Sequence, residues 1–205
     1  ALMKTKIPIK LVSLLVTLAR GNSKGIVFVF MAATALVSAF VSDIPCTVLF
    51  AGIAASSVLE YHKVEPKDSK FGRALMVGIV FASLIGGWMT PAGSSMNVMA
   101  MGMMASSTGT AMTFAQWCIV AIPISLILFF VAYLWLMVVS KPEPIGEETA
   151  LAIEQKAKEV GKLEAVDKKT LGIMIALIVC WISSNWTGWD ATVIAVLGLV
   201  AFFLP

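Results

Sequence analysis

The chain has 205 residues, 59% of them hydrophobic and 13% charged, with a formal net charge of +3. A soluble domain carries about a quarter charged residues, so this composition, with a mean hydropathy of +0.93, excludes an ordinary soluble fold and indicates an all-α integral membrane protein. The charge is confined: residues 74–140 contain no Asp, Glu, Lys or Arg, and further charge-free runs cover 25–42, 44–59, 170–189 and 191–205. The chain opens Ala1-Leu2-Met3, shows no signal-peptide pattern and ends at Pro205 in an apolar run, so a piece of a larger protein is expected.

Basic residues in short loops mark the cytoplasmic side, and here they form three clusters. Lys4, Lys6, Lys10, Arg20 and Lys24 lie in residues 1–24, where "TKIPIKLVSLLVTLAR" sets charges around an apolar stripe. An interfacial cytoplasmic helix is expected there. Lys63, Lys67, Lys70 and Arg73 mark a cytoplasmic loop over 60–73. The third cluster, from Lys141 to Lys169, marks a polar cytoplasmic connector over 140–169. The uncharged loops 105–113 and 185–189 then face outward.

Residues 25–59 lie between two cytoplasmic clusters and so enter and leave by one face. Two full spans and a turn need about 40–45 residues, more than this stretch provides. The economical solution is a re-entrant helical hairpin. Its tip, near Ser42 to Thr47, would be tolerated at membrane depth if protein or a water-filled cavity covers it. "SAFVSDIPCTVLF" puts Asp43 and Pro45 in that tip, where Pro45 is expected to stop the incoming helix. Two short tilted helices, with Asp43 paired to a neighbour, are the alternative. On either reading an ionisable side chain inside the membrane marks a functional site.

Residues 74–104 are expected to form a broken transmembrane helix. Within "SLIGGWMTPAGSSMN", Gly86, Gly87, Pro91 and Gly93 do not all suit a regular helix interior, where Gly costs about 1 kcal/mol and Pro about 3 kcal/mol. Close packing at a helix interface is the other use of such glycines. A break there exposes backbone groups and adds Thr90, Ser94, Ser95 and Asn97. Half-helix ends of this kind build midplane sites in transporters. A transmembrane helix over 114–139 follows, and 170–205 reads as the start of a second repeat. Cys46, Cys118 and Cys180 read as packing residues, and His62 as solvated. Walker, Rossmann, zinc and Ser-His-Asp patterns are absent from the sequence, so neither an enzyme nor a nucleic-acid binder is expected.

These motifs resemble the divalent anion:sodium symporters, the dicarboxylate, citrate and sulfate carriers. "SAFVSDIP" aligns with that family's hairpin tip and "GGWMTPAGSSMN" with its broken helix; the similarity continues through "MTFAQWCIVAIPISLILF" and "WDATVIAVLGLVAFFLP". The resemblance implies one half of an inverted-repeat transporter: sodium-coupled secondary transport of a di- or tricarboxylate or sulfate-like anion by alternating access, in the inner (plasma) membrane. It implies lipid and a small anionic solute as partners, and a homodimer when full length. Carried over residue by residue, it implies a sodium site of Ser38, Ser42, Asp43 and the Gly93 backbone. It also implies a substrate site of Ser42, Asp43 and Ser94, with Asn97 closing the motif. Oxygen donors of this kind suit sodium.

The chain departs from the family pattern. Asp43 stands where Asn is usual, Ile44 where Thr is usual, and Ser95 and Met96 replace a Pro pair. An ionised Asp cannot donate a hydrogen bond and repels a dianion. A proton-coupled or arsenite-type ion carrier of the same superfamily, with the proton as coupling ion, is therefore the alternative; a non-transporting truncated membrane subunit is another.

Overall fold

The computed structural model describes residues 6–8, 10–11, 22–56, 68–144, 155, 161, 164–189 and 191–203. These residues are helical or loop, with no strand among them. Most of the expected interfacial helix over 1–24, the loop holding His62 and most of the 140–169 connector lie outside the described residues.

Helix α1, Ser23–Ser38, begins where the Asn22 side chain accepts the Lys24 N–H at 3.1 Å, which satisfies one free donor of the first turn. Its residues Ile26, Val27, Phe30, Met31 and Ala33 are fully buried. A helix apolar all round belongs inside its bundle, and α1 is the core of this one. Thr34, a polar residue buried in its middle, donates its hydroxyl back to the Phe30 carbonyl at 2.6 Å.

The chain turns at 39–42 and returns as α2, Asp43–Ala54. The Cys46 thiol reaches the Thr34 carbonyl at 3.5 Å, and Phe50 and Ala54 are fully buried, so α2 folds back along α1. Pro45 does not stop the incoming helix, which ends at Ser38; it sits in the first turn of α2, where the missing N–H costs no helical bond. The turn lies earlier than Ser42 to Thr47, because Thr47 is already helical and bonds the Asp43 carbonyl at 2.9 Å.

Helix α3, Lys70–Met89, is capped by Ser69, whose hydroxyl accepts the Gly72 N–H at 3.2 Å. Helix α4, Ser95–Thr108, ends at Gly109 with φ 71°, whose N–H bonds the Ala105 carbonyl at 3.0 Å; glycine suits that left-handed cap. Helix α5, Phe114–Ser140, opens with a reciprocal Thr113–Gln116 capping box at 3.3 and 2.9 Å. Helix α6, Ala165–Thr187, and helix α7, Ala191–Phe203, follow. The start of α6 is pinned by Asp167, whose carboxylate accepts the Glu164 N–H at 2.8 Å and the Lys6 N–H at 3.1 Å.

Among the described residues, α3 and α5 are long and apolar enough to cross a membrane, yet 56% of the most apolar window of α3 is buried against 17% for α5. So α3 is an inner helix. It packs on α1 and on α5, where Phe81 is set edge-on to Trp135 at 6.2 Å, and Phe28 of α1 also meets α5, edge-on to Phe129 at 5.7 Å and to Tyr133 at 5.2 Å. The outer flank of α5, including Ile119, Ile127 and Val138, is left uncovered.

Candidate functional site

One face of α3 organises the centre. Ser83, Gly86, Gly87 and Thr90 follow at i, i+3, i+4 and i+7, which aligns them along the helix, and this stripe receives the end of α1 and the turn after it. A β-carbon at Gly86 would lie 2.6 Å from the Ala35 Cα, so the backbones of α1 and α3 approach as only glycine permits. Gly86 and Gly87 therefore lie within α3 rather than in the break, and Gly86 has the close-packing use.

The stripe also makes hydrogen bonds. The buried Ser38 hydroxyl donates to the Ser83 carbonyl at 2.7 Å. The Ser83 hydroxyl donates to the Asp43 carbonyl at 2.7 Å. The Thr90 hydroxyl donates to the Ala39 carbonyl.

Helix α3 stops at Met89 because Thr90 is extended (φ −133°, ψ 156°). A turn over 91–93 follows, closed by the Gly93 N–H to the Thr90 carbonyl at 3.2 Å. Ser94, also extended, then caps α4 by accepting the Met96 N–H at 3.4 Å. The partner a regular helix would offer the Gly87 carbonyl is the N–H four residues on, but that residue is Pro91, which has none. The buried Asn97 supplies the substitute: its amide donates to the Gly87 carbonyl at 2.7 Å and the Thr90 carbonyl at 2.8 Å.

The residues singled out from sequence meet unequally. Ser38, Asp43 and Gly93 gather at Gly87: a β-carbon there would lie 3.6 Å from the Ser38 hydroxyl, 3.6 Å from the Asp43 Cβ and 3.7 Å from the Gly93 carbonyl. Gly93 has no room for a side chain, since its own β-carbon would fall 2.7 Å from the Ser38 carbonyl. Ser42 is exposed, and its hydroxyl reaches the Asp43 carboxylate at 3.4 Å, which also accepts the Ile44 N–H at 3.1 Å. Ser94 and Asn97 belong to the break itself, with both amide hydrogens of Asn97 engaged inside it. Sequence reasoning missed Ser83; the four-residue spacing of small and hydroxyl side chains on α3 was the available signal.

Helices α1 and α3 end here, and α2 and α4 begin here. Helix C-termini present carbonyls and a partial negative charge, and N-termini present N–H groups and a partial positive one. One place therefore offers oxygen donors for a cation and amide donors for an anion. Asp43 is the one charged residue between Lys24 and Glu60. Among the described residues no His, Cys, Asp or Glu cluster could hold a metal ion, so a cation here would rely on hydroxyl, carbonyl and single-carboxylate oxygens, a hard donor set.

Outside this place, a cavity of about 600 Å³ between α4 and α5 is lined by Trp88, Met96, Asn97, Met104, Trp117 and Ser125. The Trp117 indole N–H bonds the Trp88 carbonyl across it at 3.1 Å.

The described residues thus form an all-helical protein with two helices long and apolar enough to cross a membrane. The chain matches the family described as "Sodium:sulfate symporter transmembrane region" over residues 4–205, and it belongs to that family. It is similar to the sodium-dependent dicarboxylate transporter SdcS of Staphylococcus saprophyticus, 25% identical over 224 residues that cover 99% of this chain and 42% of the relative. It is also similar to SdcS of Staphylococcus aureus (strain USA300), 26% identical over 202 residues that cover 93% of this chain and 38% of the relative. The chain thus spans about two fifths of the length of these relatives. The family and these relatives are transporters, not enzymes.

Proposed function

We propose that the full-length protein is a sodium-coupled carrier of a small anion, a di- or tricarboxylate or a sulfate-like ion, in the plasma membrane. The observation that carries this is the gathering of Ser38, Asp43 and Gly93 around Gly87, where two helices end and two begin. In this reading α1 and α2 form a re-entrant hairpin. The 16 residues of α1 extend about 24 Å, short of the ~30 Å hydrocarbon core, and basic residues flank residues 25–59 on both sides. This chain supplies one of two inverted halves that exchange access across the membrane.

The charge of Asp43 supplies a coupling logic. An ionised carboxylate disfavours a nearby dianion, and a sodium ion held by the Asp43, Ser38 and Gly93 oxygens neutralises it. Anion binding at Ser42, Ser94 and the N-termini of α2 and α4 then depends on sodium, and by linkage sodium binding depends on the anion. Asn97 holds the loop that presents Ser94. The carboxylate also favours a second reading, because a proton on Asp43 neutralises it as well.

The test is uptake of labelled succinate, citrate and sulfate by the full-length protein in proteoliposomes, under an inward sodium gradient and under a sodium-free proton gradient. Sodium-driven uptake of one anion is expected. Uptake under the proton gradient alone selects the second reading, and no uptake of any of the three removes both. Asp43→Asn should flatten the sodium dependence; an unaltered sodium and pH response would sink the role given to Asp43.

A further inference from the structure

We infer that Ser83, on α3, is a positioning residue for the cation-binding tip; the inference rests on the sodium-coupled reading above. Ser83 is fully buried and stands between the two sides of the turn. Its carbonyl accepts a hydrogen bond from the Ser38 hydroxyl at 2.7 Å, and its own hydroxyl donates to the Asp43 carbonyl at 2.7 Å. One residue thus holds the last residue of α1 and the first of α2.

Proton counting fixes the direction of these bonds. A serine hydroxyl has one hydrogen and two lone pairs. The Ser38 hydrogen is taken by the Ser83 carbonyl and the Ser83 hydrogen by the Asp43 carbonyl, so the 3.4 Å approach of the two hydroxyl oxygens carries neither. The Ser38 hydrogen therefore points into α3, and its oxygen keeps lone pairs near Gly87 and Asp43. A hydroxyl that must ligate a cation needs this orientation. The backbone carbonyl at position 83 sets it from a neighbouring helix without touching the ion, and what the serine side chain adds is its hydroxyl bond, which keeps Asp43 in register with Ser38.

Ser83→Ala removes the bond to Asp43 and leaves the backbone carbonyl. In the full-length protein, half-saturating sodium for uptake should rise by about tenfold, the scale of one buried hydrogen bond. The maximal rate at saturating sodium should stay within about twofold, because the variant alters ion affinity and not the moving parts. Amide hydrogen exchange across 39–44 should quicken in parallel. Ser83→Cys, nearly equal in size but a weak donor, should fall between, and Ser106→Ala, an exposed hydroxyl bonded within α4, should change nothing.

An unchanged sodium curve in Ser83→Ala overturns the inference, as does a fall in maximal rate with half-saturating sodium unmoved. If the wild-type protein shows no sodium dependence, the sodium-coupled reading fails. The exchange measurement then decides Ser83 alone: faster exchange at 39–44 supports its hold on the tip, and unaltered exchange removes it.

Discussion

The two interruptions are satisfied in different ways. The break at 90–94 is served by near neighbours: Asn97 bonds the Gly87 and Thr90 carbonyls, and Ser94 caps the next helix. The turn at 39–42 has local backbone bonds from Ala39 to Ala35 and from Phe40 and Val41 to Val37, but the Asp43 and Ala39 carbonyls on its two sides are served from a distance, by Ser83 on α3 and by Thr90 at its end, which lie 40 and 51 residues along the chain. A locally satisfied break keeps its shape wherever its segment goes. A turn that borrows its donors keeps its shape only while packed on the lender, so the α1–α3 contact decides whether the site exists.

The largest effect is expected from breaking that contact. Gly86→Ala places a β-carbon against the Ala35 backbone, and overpacking of this kind costs about 3 kcal/mol. Thermal unfolding of the full-length protein in detergent should show the loss, with sodium dependence lost alongside. Gly102→Ala, in a helix with nothing within 4 Å of the new carbon, should instead add up to about 1 kcal/mol of stability. Equal effects of the two variants would remove the close approach from the account.

Asn97→Ala should come next. It leaves the Gly87 carbonyl without its donor and takes one of two donors from the Thr90 carbonyl, which keeps the Gly93 N–H, a loss of about 2 kcal/mol, and amide exchange should quicken across 90–96 before it quickens at the tip. Asn97→Asp should not rescue it, since an ionised carboxylate accepts only. Thr90→Val keeps the shape and removes one donor from the tip, for about 1 kcal/mol, together with the acceptor of the Ala92 N–H at 3.2 Å; here exchange should quicken at 39–42 as well as at Ala92. Identical exchange patterns in the two variants would erase the distinction between local and borrowed support.

The smallest effect concerns the other end of α3, which is also capped from a distance. Glu143, just beyond α5, accepts the Phe71 N–H at 3.0 Å, the Lys70 N–H at 3.2 Å and the Ser69 hydroxyl at 3.1 Å. The Phe71 N–H first, then those of Lys70 and the Ser69 hydroxyl, hold the carboxyl below its ordinary value of 4.5. A carboxyl lowered on folding stabilises the protein above its unfolded value, and that contribution fades as pH falls through the folded one. Melting temperature should therefore drop more between pH 6 and pH 3 in the wild type than in Glu143→Gln, by a small margin because the group is exposed. Parallel pH profiles would contradict the capping role.

The same contrast explains what could be read from the residues alone. The all-helical membrane character follows from composition, and the family resemblance from two short motifs, because both are local properties of the chain. Pro91 lies in the break for a local reason too, whereas the need for glycine at 93 comes in part from the Ser38 carbonyl of the distant turn. Gly86 looks like a helix breaker in isolation, and its packing role appears only with Ala35 opposite. Pro45 reads as a stop when the incoming helix is in view, yet its place in the first turn of α2 depends on where that helix has already ended. Ser83 and Glu143 carry no motif at all. Their partners lie 40 to 74 residues away, and nothing short of the packed bundle brings them together.

In the sodium-coupled reading the tip and the break form one sodium-dependent site. The most direct test is the melting temperature of the full-length protein in sodium against potassium at equal ionic strength, since an ion that binds the folded state alone raises it by linkage. The wild type should melt at a higher temperature in sodium, with the difference lost in Ser38→Ala and Asp43→Ala. Equal melting in the two salts, or a sodium effect that survives both substitutions, would contradict it.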